Sequence, residues 1–406
     1  MKTWGGAILI LCLALAACAA VPQALPAEPP PAPAANYAWA TFGARGITAS
    51  GAYGLADRGN GRPLTIDDPV RIASITKLHV ALGVMRMVEA GKLDLDRDVS
   101  DWLGWRLRNP AFPDKPITLR LLLSHRSSLR DGVNYAIPHG TTLQQAILPP
   151  EAFDAEHPPG TFFRYSNLNF PVVASVMEAA SHERFDRLMD RLVLKPLRMD
   201  ACFNWTTCAD SRLGRAVVLY APDGSALRDD LKGERPACPI VPAADGSCEL
   251  ESYRLASNGA LFSPQGGLRI SVRDLVRTGR LLLGKGLSAE GTRFLSEASM
   301  DEMSRIAWRF DGANGDTEGN FYCGYGLATQ ILAQCAPGDD PFGDGRPLIG
   351  HAGDAYGLRS GLWVDRERGI GIAYFATGLG DDPPRGKSSF RTVEEWLAAK
   401  MAGARR

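Results

Sequence analysis

The sequence predicts an α+β fold, in which an antiparallel sheet is flanked by helices and joined to an all-helical part. Segments with strand character lie near both ends of the chain, and segments with helical spacing fill the middle. Near the start, Trp39 to Arg58 carries β-type residues broken by Gly51 and Gly54, which predicts two strands and a turn. Near the end, Gly361 to Val364 and Ile370 to Thr377 predict two strands joined by a tight turn.

Helices are predicted where apolar residues recur every three or four positions. The first runs from Ser74 to Ala90 and stops at Gly91, a residue typical of helix ends. Four later segments have the same spacing, namely Leu119 to Leu123, Phe170 to Ala180, Ser271 to Leu283 and Thr392 to Met401. These segments provide the helices that flank the sheet and form the helical part.

The division of the chain follows from these elements. We expect one domain over residues 37–406, with an α/β part at about 37–115 and 250–406 and a helical part at about 116–249. The helical part ends in a loop-rich insertion at 201–250, which is rich in Cys, Pro, Gly and Asp. The 45 basic and 45 acidic residues balance, so the sequence argues against nucleic acid as a partner.

The first 18 residues have the features of an export signal. Lys2 precedes an apolar stretch from Ala7 to Ala17 that is too short for a membrane span. The stretch ends in Leu15-Ala16-Ala17-Cys18, which resembles the lipobox of bacterial lipoproteins and predicts a lipid-anchored protein of the periplasm or cell envelope. The alternative is an ordinary cleaved signal peptide. Residues 19–36 are rich in Ala and Pro and predict an extended tether.

Six cysteines remain outside the leader, an even number that predicts disulfides in an exported chain. Six cysteines allow 15 pairings, and the sequence alone does not choose among them. Short separations favour the pairs Cys202–Cys208, Cys238–Cys248 and Cys323–Cys335. A metal site is the competing interpretation, but the chain contains neither a CxxC pair nor an HExxH helix.

A candidate nucleophile lies at the start of the first long helix. Ser74 and Lys77 are three residues apart, so they share one face of that helix. A Ser hydroxyl needs a nearby base, and a buried Lys can serve in its neutral form. The spacing is weak evidence by itself, because a surface Ser and Lys would have it equally often.

A second candidate group is Tyr165-Ser166-Asn167. A Tyr near a cationic Lys can have its phenolate stabilised and then act as a proton shuttle. The Asn167 amide can hydrogen-bond both to a Lys and to a substrate carbonyl. Alone, this pattern is more typical of a packed Tyr with a satisfied hydroxyl.

A third candidate group, His351-Ala352-Gly353-Asp354, comes directly before the last pair of strands. Gly353 permits a ligand to approach the strand closely. The backbone N–H of Asp354 can form an oxyanion hole together with that of Ser74. A single His such as His351 is more often structural than catalytic.

The order Ser-x-x-Lys, Tyr-x-Asn, His-x-Gly resembles the three motifs of class C β-lactamases, D-Ala-D-Ala carboxypeptidases and related esterases. The flanking sequence fits the same family, because several further segments resemble its conserved stretches in the family's order. These segments are Leu121 to Leu129, Val193 to Met199, Gly266 to Leu275, Gly324 to Leu327 and Asp354 to Gly357. The resemblance therefore covers the chain from Ser74 to Gly357.

The resemblance implies a β-lactamase/transpeptidase-like fold with the active site between an α/β half and a helical half. It implies that Ser74 attacks a carbonyl and forms an acyl-enzyme, while Lys77 and Tyr165 transfer the proton. Asn167 would orient Lys77 and the substrate, and the N–H groups of Ser74 and Asp354 would form the oxyanion hole. The family needs no metal or organic cofactor, and the implied partner is a small-molecule or peptide substrate. The sequence leaves the oligomeric state open.

Three departures from the family pattern bear on the substrate. His351 stands where most β-lactamases have Lys, Ala352 replaces a hydroxyl residue, and Ser128 replaces a Gly. An imidazole is a weaker, pH-dependent partner for a substrate carboxylate, so activity on carboxylated substrates should fall above about pH 6.5 if His351 binds them. These changes favour an esterase or peptidase over an efficient β-lactamase.

Two other classes of protein fit the sequence less well. A catalytically inert penicillin-binding or sensor protein would have no need of the complete set Ser74, Lys77, Tyr165 and Asn167. An α/β-hydrolase esterase is disfavoured because the chain has no Gly-x-Ser-x-Gly elbow.

Overall fold

The computed structural model describes residue 1, the backbone of Gln23–Ala24, and residues 28–403. Residues 2–18 of the predicted signal peptide, which include Cys18, and residues 19–22 and 25–27 of the tether lie outside the described residues. Within the described part, no helix combines the length and apolar character that crossing a membrane requires.

A large sheet forms the centre of the α/β part. Its nine strands follow the order β1-β3-β2-β16-β15-β14-β13-β12-β11, so segments from both ends of the chain pair in its middle. The strands of this sheet are β1 (Gln23–Ala24), β2 (Asn36–Gly43), β3 (Gly46–Tyr53), β11 (Trp308–Arg309), β12 (Gly324–Tyr325), β13 (Gln330–Ile331), β14 (Ile349–Ala355), β15 (Leu358–Asp365) and β16 (Ile370–Thr377). All neighbours are antiparallel except β1 and β3.

Seven short strands form three small sheets beside the large one. They pair as β6-β10-β7, β4-β5 and β8-β9. Their bounds are β4 (Leu55–Asp57), β5 (Arg62–Pro63), β6 (Val70–Arg71), β7 (Cys202–Phe203), β8 (Leu219–Tyr220), β9 (Ala226–Arg228) and β10 (Leu268–Ile270).

The two strands predicted near the start of the chain are confirmed, but the turn between them is not at a glycine. It lies at residues 44–45, between β2 and β3, and Gly51 lies within β3 directly opposite Trp39. A β carbon at position 51 would be only 2.8 Å from the Trp39 indole nitrogen. Gly51 therefore makes room for a buried indole, whereas Gly54, with a φ of +84°, forms the bend between β3 and β4.

All predicted helical segments are helical in the structure. The α-helices are α1 (Thr76–Glu89), α2 (Ser100–Leu103), α3 (Leu119–Leu123), α4 (Leu143–Ala146), α5 (Asn169–Ser181), α6 (Phe185–Met189), α7 (Asp210–Leu213), α8 (Val272–Leu283), α9 (Glu297–Ser304) and α10 (Thr392–Ala398). Single 3-10 turns occur at Ala73–Ile75, Pro150–Ala152, Leu250–Ser252 and Ala399–Gly403, and a π turn at Asp190–Leu194.

Helix α8 packs against the large sheet through a close contact. A β carbon at Gly279 would lie 2.1 Å from the ring of Phe42 on β2, which is completely buried. The Ser271 hydroxyl accepts a hydrogen bond from the Asp274 N–H and so caps the helix start. The antiparallel sheet with packed helices confirms the α+β fold class. The proposed bounds of its two parts stay a prediction.

The insertion at 201–250 is pinned by disulfides, and the predicted pairing is confirmed. Cys202 bonds to Cys208, and Cys238 bonds to Cys248. The third bond, Cys323–Cys335, joins the residue before β12 to the segment after β13. Part of the insertion has a small hydrophobic cluster of its own, separate from the main core, formed by Cys202, Trp205, Cys208, Leu213 and Ala216.

Candidate active site

A cleft of about 1220 Å³ runs along β14 and the start of α1. Five of the predicted catalytic and substrate-binding residues line it, namely Ser74, Tyr165, Asn167, Gly353 and Asp354. The structure therefore brings together residues that are more than 250 positions apart in the sequence. Lys77 lies beneath the wall of the cleft, and His351 is buried behind it.

Ser74 lies in the 3-10 turn Ala73–Ile75 that leads into α1. The residue before it, Ala73, has a φ of +53°, in the left-handed region that non-glycine residues seldom adopt. Strand β14 comes very close to this turn, because a β carbon at Gly353 would be 2.6 Å from the Ile72 carbonyl oxygen. The Ser360 hydroxyl on β15 donates to that same carbonyl at 2.9 Å. The sheet thus holds the strained turn in place and fixes the position of Ser74.

The Lys77 side chain is completely buried, and its ammonium has three oxygen acceptors. Its Nζ donates to Ser74 Oγ at 2.9 Å, to Asn167 Oδ1 at 2.8 Å and to the Gln265 carbonyl oxygen at 2.8 Å. Burial lowers the pKa of Lys77 to about 7, although the nearby carboxylates of Asp131 and Glu318 oppose the shift. Near neutral pH, a large fraction of Lys77 is therefore uncharged and able to accept the Ser74 proton.

Tyr165 is held between two aromatic rings. It stacks on His125 with 4.3 Å between ring centroids and on Tyr322 with 4.7 Å. Burial raises the pKa of Tyr165 above its usual value, even though the neighbouring hydroxyls of Ser74 and Tyr322 lower it in part. Burial therefore favours the neutral phenol, whose own proton is available for transfer. Stabilisation of a phenolate by Lys77 stays a prediction.

Asn167 is oriented by Asp131, a residue that no sequence motif marks as functional. Asp131 accepts hydrogen bonds from the Asn167 side-chain amide and backbone N–H, both at 2.9 Å, and from the Ser166 hydroxyl and Leu168 N–H. This arrangement turns the Asn167 amide oxygen towards Lys77. Asp131 lies in a loop between helices, and only its Asp-Gly pair signals a turn, so no local pattern marks it as functional.

His125 is a second residue for which the sequence predicts no role. Its Nδ1 accepts from the Ser166 N–H at 3.0 Å and lies 3.1 Å from Asn169 Nδ2. Burial lowers the pKa of His125 well below its usual value, and the Lys77 charge adds to the effect. The neutral His125 ring supports the Tyr165 ring by stacking on it. Its position within the resembling segment 121–129 was the one available signal.

His351 is not among the residues that line the cleft. Its ring is completely buried, with Nε2 2.7 Å from the Tyr325 hydroxyl and Nδ1 2.5 Å from the Ala352 carbonyl oxygen. Burial lowers the pKa of His351 to about 3, and the Lys77 charge contributes. A buried, neutral ring does not favour the expected contact between an imidazolium and a substrate carboxylate, which stays a prediction. Ala352 lines the cleft, whereas the His351 ring packs beneath it, 6.2 Å from the Tyr165 ring.

The predicted oxyanion hole depends on the first turn of α1 and on the end of β14. The Asp354 side chain forms an ion pair with Arg359 on the neighbouring strand β15. Gly353 brings the β14 backbone against the turn that carries Ser74. This approach is compatible with two N–H groups serving one oxygen, and the assignment of Ser74 and Asp354 as those donors stays a prediction.

Comparison with known proteins identifies the family. Residues 34–393 match the model of the family described as Beta-lactamase. The chain belongs to the Beta-lactamase family. Because the match covers most of the chain, this membership makes it a serine hydrolase.

Two curated relatives and one solved structure illustrate the breadth of the Beta-lactamase family. Esterase EstB of Burkholderia gladioli is 28% identical over 79% of this chain and 80% of its own length. Penicillin-binding protein 4 of Amycolatopsis lactamdurans is 25% identical over 87% of this chain and 82% of its own length. The octameric penicillin-binding protein homologue from Pyrococcus abyssi has a TM-score of 0.65 at 20% identity, covering 92% of this chain and 74% of its own. The last similarity shows the shared fold.

One cluster in the described residues has the composition of a metal site. Cys323, Cys335 and Asp339 place their ligand atoms within 4.8 Å of one another. The two cysteines are joined in a disulfide, which removes the thiolates that would bind a metal ion. This cluster does not favour the metal interpretation of the six cysteines.

The buried neutral state of His351 predicts a specific dependence of stability on pH. A His with a pKa near 6.5 when unfolded and about 3 when folded binds more protons in the unfolded state, so stability is lost as the pH falls below about 6.5. At pH 5 this group should lower the free energy of unfolding by about 2 kcal/mol relative to pH 7. Urea unfolding of the wild type and of His351→Gln at both pH values would measure the difference. Equal losses in the two proteins would contradict a neutral, buried His351.

Proposed function

We propose that this protein hydrolyses an ester, an amide or a D-amino-acid peptide through an acyl-enzyme formed on Ser74. One observation carries the proposal. The buried Lys77 Nζ lies 2.9 Å from Ser74 Oγ, and its pKa of about 7 makes it a usable base. A scaffold or sensor without turnover has no need of this arrangement, because burying an ammonium costs stability.

The proposed acylation step uses Lys77 and Tyr165 in sequence. Neutral Lys77 takes the proton of Ser74 Oγ as this oxygen attacks the substrate carbonyl carbon. The N–H groups of Ser74 and Asp354 stabilise the resulting oxyanion. Tyr165 then gives its phenolic proton to the leaving group and regains one from the Lys77 ammonium, so that no phenolate accumulates.

Deacylation runs by the same groups in reverse. A water molecule loses a proton towards Tyr165 and Lys77 as it attacks the ester carbonyl on Ser74. The Ser74 oxygen leaves and is reprotonated by the Lys77 ammonium, which frees the carboxylic acid and restores the enzyme. Asn167, held by Asp131, keeps Lys77 in line throughout.

Ester or peptide substrates are favoured over β-lactams at this site. Ala352 offers no hydroxyl to the cleft, and His351 is neutral and buried, so neither can hold a carboxylate beside Ser74. The relative named Esterase EstB, which is similar over most of its length, supports this choice. β-Lactamase activity is the second candidate, since the chain belongs to the Beta-lactamase family.

The proposed nucleophile is tested with purified protein and a panel of aryl esters, D-Ala-D-Ala peptides and a chromogenic cephalosporin. We expect turnover of at least one ester or peptide and a loss of at least about 10³-fold in kcat for Ser74→Ala, because the nucleophile is removed. Mass spectrometry of the quenched wild type should find the acyl group on Ser74. Unchanged turnover in Ser74→Ala would disprove the assignment.

The role of Lys77 as base predicts the pH profile. Because the neutral form grows as the pH rises through about 7, kcat/KM should rise with a midpoint near 7. The Asp131 carboxylate raises the pKa of Lys77, so Asp131→Asn should move the midpoint to lower pH. Initial rates between about pH 5 and 9 measure both effects. A midpoint that stays in place or moves upward in Asp131→Asn would argue against Lys77 as the titrating base.

We propose further that the protein is exported and anchored by lipid at Cys18. The three disulfides support an oxidising compartment, and the leader supports export. Expressed with its leader in a bacterial host, the wild type should fractionate with membranes, and Cys18→Ser should fractionate with the soluble periplasmic proteins. Identical fractions for both would favour the ordinary signal peptide.

A further inference from the structure

The cleft contains a second cationic group, apart from Lys77, that the proposed chemistry does not use. Arg71, Arg228 and Arg269 line it together with Tyr356. Arg71 belongs to β6, three residues before Ser74, and Arg228 belongs to β9 of the insertion. The core and the insertion thus each contribute a guanidinium to the same wall.

Arg71 has no carboxylate of its own. Asp229, whose charge acts on Arg71, is already engaged, because its Oδ1 accepts from the Arg269 guanidinium at 2.8 Å and from the Trp205 indole N–H at 2.8 Å. The Nε atom of Arg71 is buried and has no hydrogen-bond partner. A buried polar donor of this kind is normally satisfied, so Arg71 has donor capacity left for a ligand.

The two guanidiniums are held by one aromatic ring. Arg71 and Arg228 lie 5.2 and 4.7 Å from the centroid of the Tyr356 ring. Although burial opposes it, the charges of Arg71 and Arg228 lower the pKa of Tyr356, which reports a positive potential at this point. The acids Asp229 and Asp230 line the same wall, so three positive charges face two negative ones and one positive charge remains.

This group lies within reach of a substrate bound to Ser74. Tyr356 lies in the two-residue turn that follows β14, three residues beyond Gly353, and Arg71 precedes Ser74 by three residues. Gly353 is in contact with the turn that carries Ser74. Because Arg71, Tyr356 and Ser74 line the same cleft, a substrate held at Ser74 can extend to the arginines.

We propose that Arg71 and Arg228 bind a carboxylate on the acyl part of the substrate, so that the enzyme prefers esters or amides of dicarboxylic acids. This inference rests on the proposed function. It places the carboxylate on the acyl part because Tyr165, which serves the leaving group, is packed against the separate aromatic cluster of Phe163 and Tyr322. The two guanidiniums offer the charged, planar donors that suit a carboxylate.

The proposal also accounts for the neutral third motif. With His351 buried and Ala352 lacking a hydroxyl, the cleft has no carboxylate partner at the position used by most β-lactamases. A cation at Arg71 moves recognition of the negative charge to another part of the cleft, away from the reacting carbonyl. The preferred acyl group is therefore longer than one whose carboxylate lies beside the scissile bond.

Two matched substrates test the inference. 4-Nitrophenyl hydrogen glutarate carries the carboxylate, and 4-nitrophenyl methyl glutarate masks it as a neutral ester. We expect the wild type to have a kcat/KM about ten- to hundredfold higher for the acid than for the methyl ester, which is the range for a charge-assisted contact. High salt should reduce this preference.

Variants assign the preference to the two arginines. Arg71→Met should bring the two substrates to within about threefold of each other, and Arg71→Lys should keep part of the preference because it keeps the charge. Arg228→Gln, on an exposed strand, should reduce the preference without loss of melting temperature. Arg309→Gln changes an exposed arginine outside the cleft and should leave both rates unchanged. Equal losses on both substrates in Arg71→Met, or no preference in the wild type, would overturn the inference.

A binding measurement separates this inference from the proposed function. Calorimetry with glutarate itself, on the full chain, should give weaker binding to Arg71→Met than to the wild type whether or not either ester is hydrolysed. If Ser74→Ala turns over both esters like the wild type, the proposed function fails while glutarate binding still decides the carboxylate site. Equal glutarate binding by wild type and Arg71→Met would overturn the site even in an active hydrolase.

Discussion

The buried ammonium of Lys77 is the interaction on which the rest of the site depends. Moving a charge out of water costs several kcal/mol, and three hydrogen bonds to oxygen offset only part of that cost. The remaining penalty lowers the pKa of Lys77 to about 7. The same burial that weakens the fold at this point therefore supplies the base.

The three acceptors of Lys77 come from separate parts of the chain, and each needs its own support. Ser74 depends on a left-handed Ala73 that is held by β14, and Asn167 depends on Asp131. The Gln265 carbonyl lies in a tight loop, where a β carbon at Gly267 would be 2.7 Å from the Phe262 carbonyl oxygen. The sheet, the helical part and the loop before β10 must therefore all be in place before Lys77 is satisfied.

Much of this could be predicted from the sequence, because the relevant signals are local or ordered along the chain. Apolar periodicity predicted α1 and α8, and short separations predicted the disulfide pairs. The burial of individual side chains was harder to predict. Nothing in the sequence says how deeply a side chain is buried, so neither the burial of His351 nor the raised pKa of Tyr165 could be predicted. Asp131 and the Gln265 carbonyl act only through contacts across the fold, which no local pattern records.

The insertion at 201–250 has its own disulfides and its own small apolar cluster, yet it contributes Arg228 to the cleft wall. Because the disulfides hold the backbone of this segment, its exposed side chains, such as Arg228, can change with little effect on the turn that holds Ser74. Selection can then change which substrates the enzyme recognises without changing its catalytic residues. In such a lineage, substrate range would diverge first in this crosslinked segment, and the catalytic residues would change last.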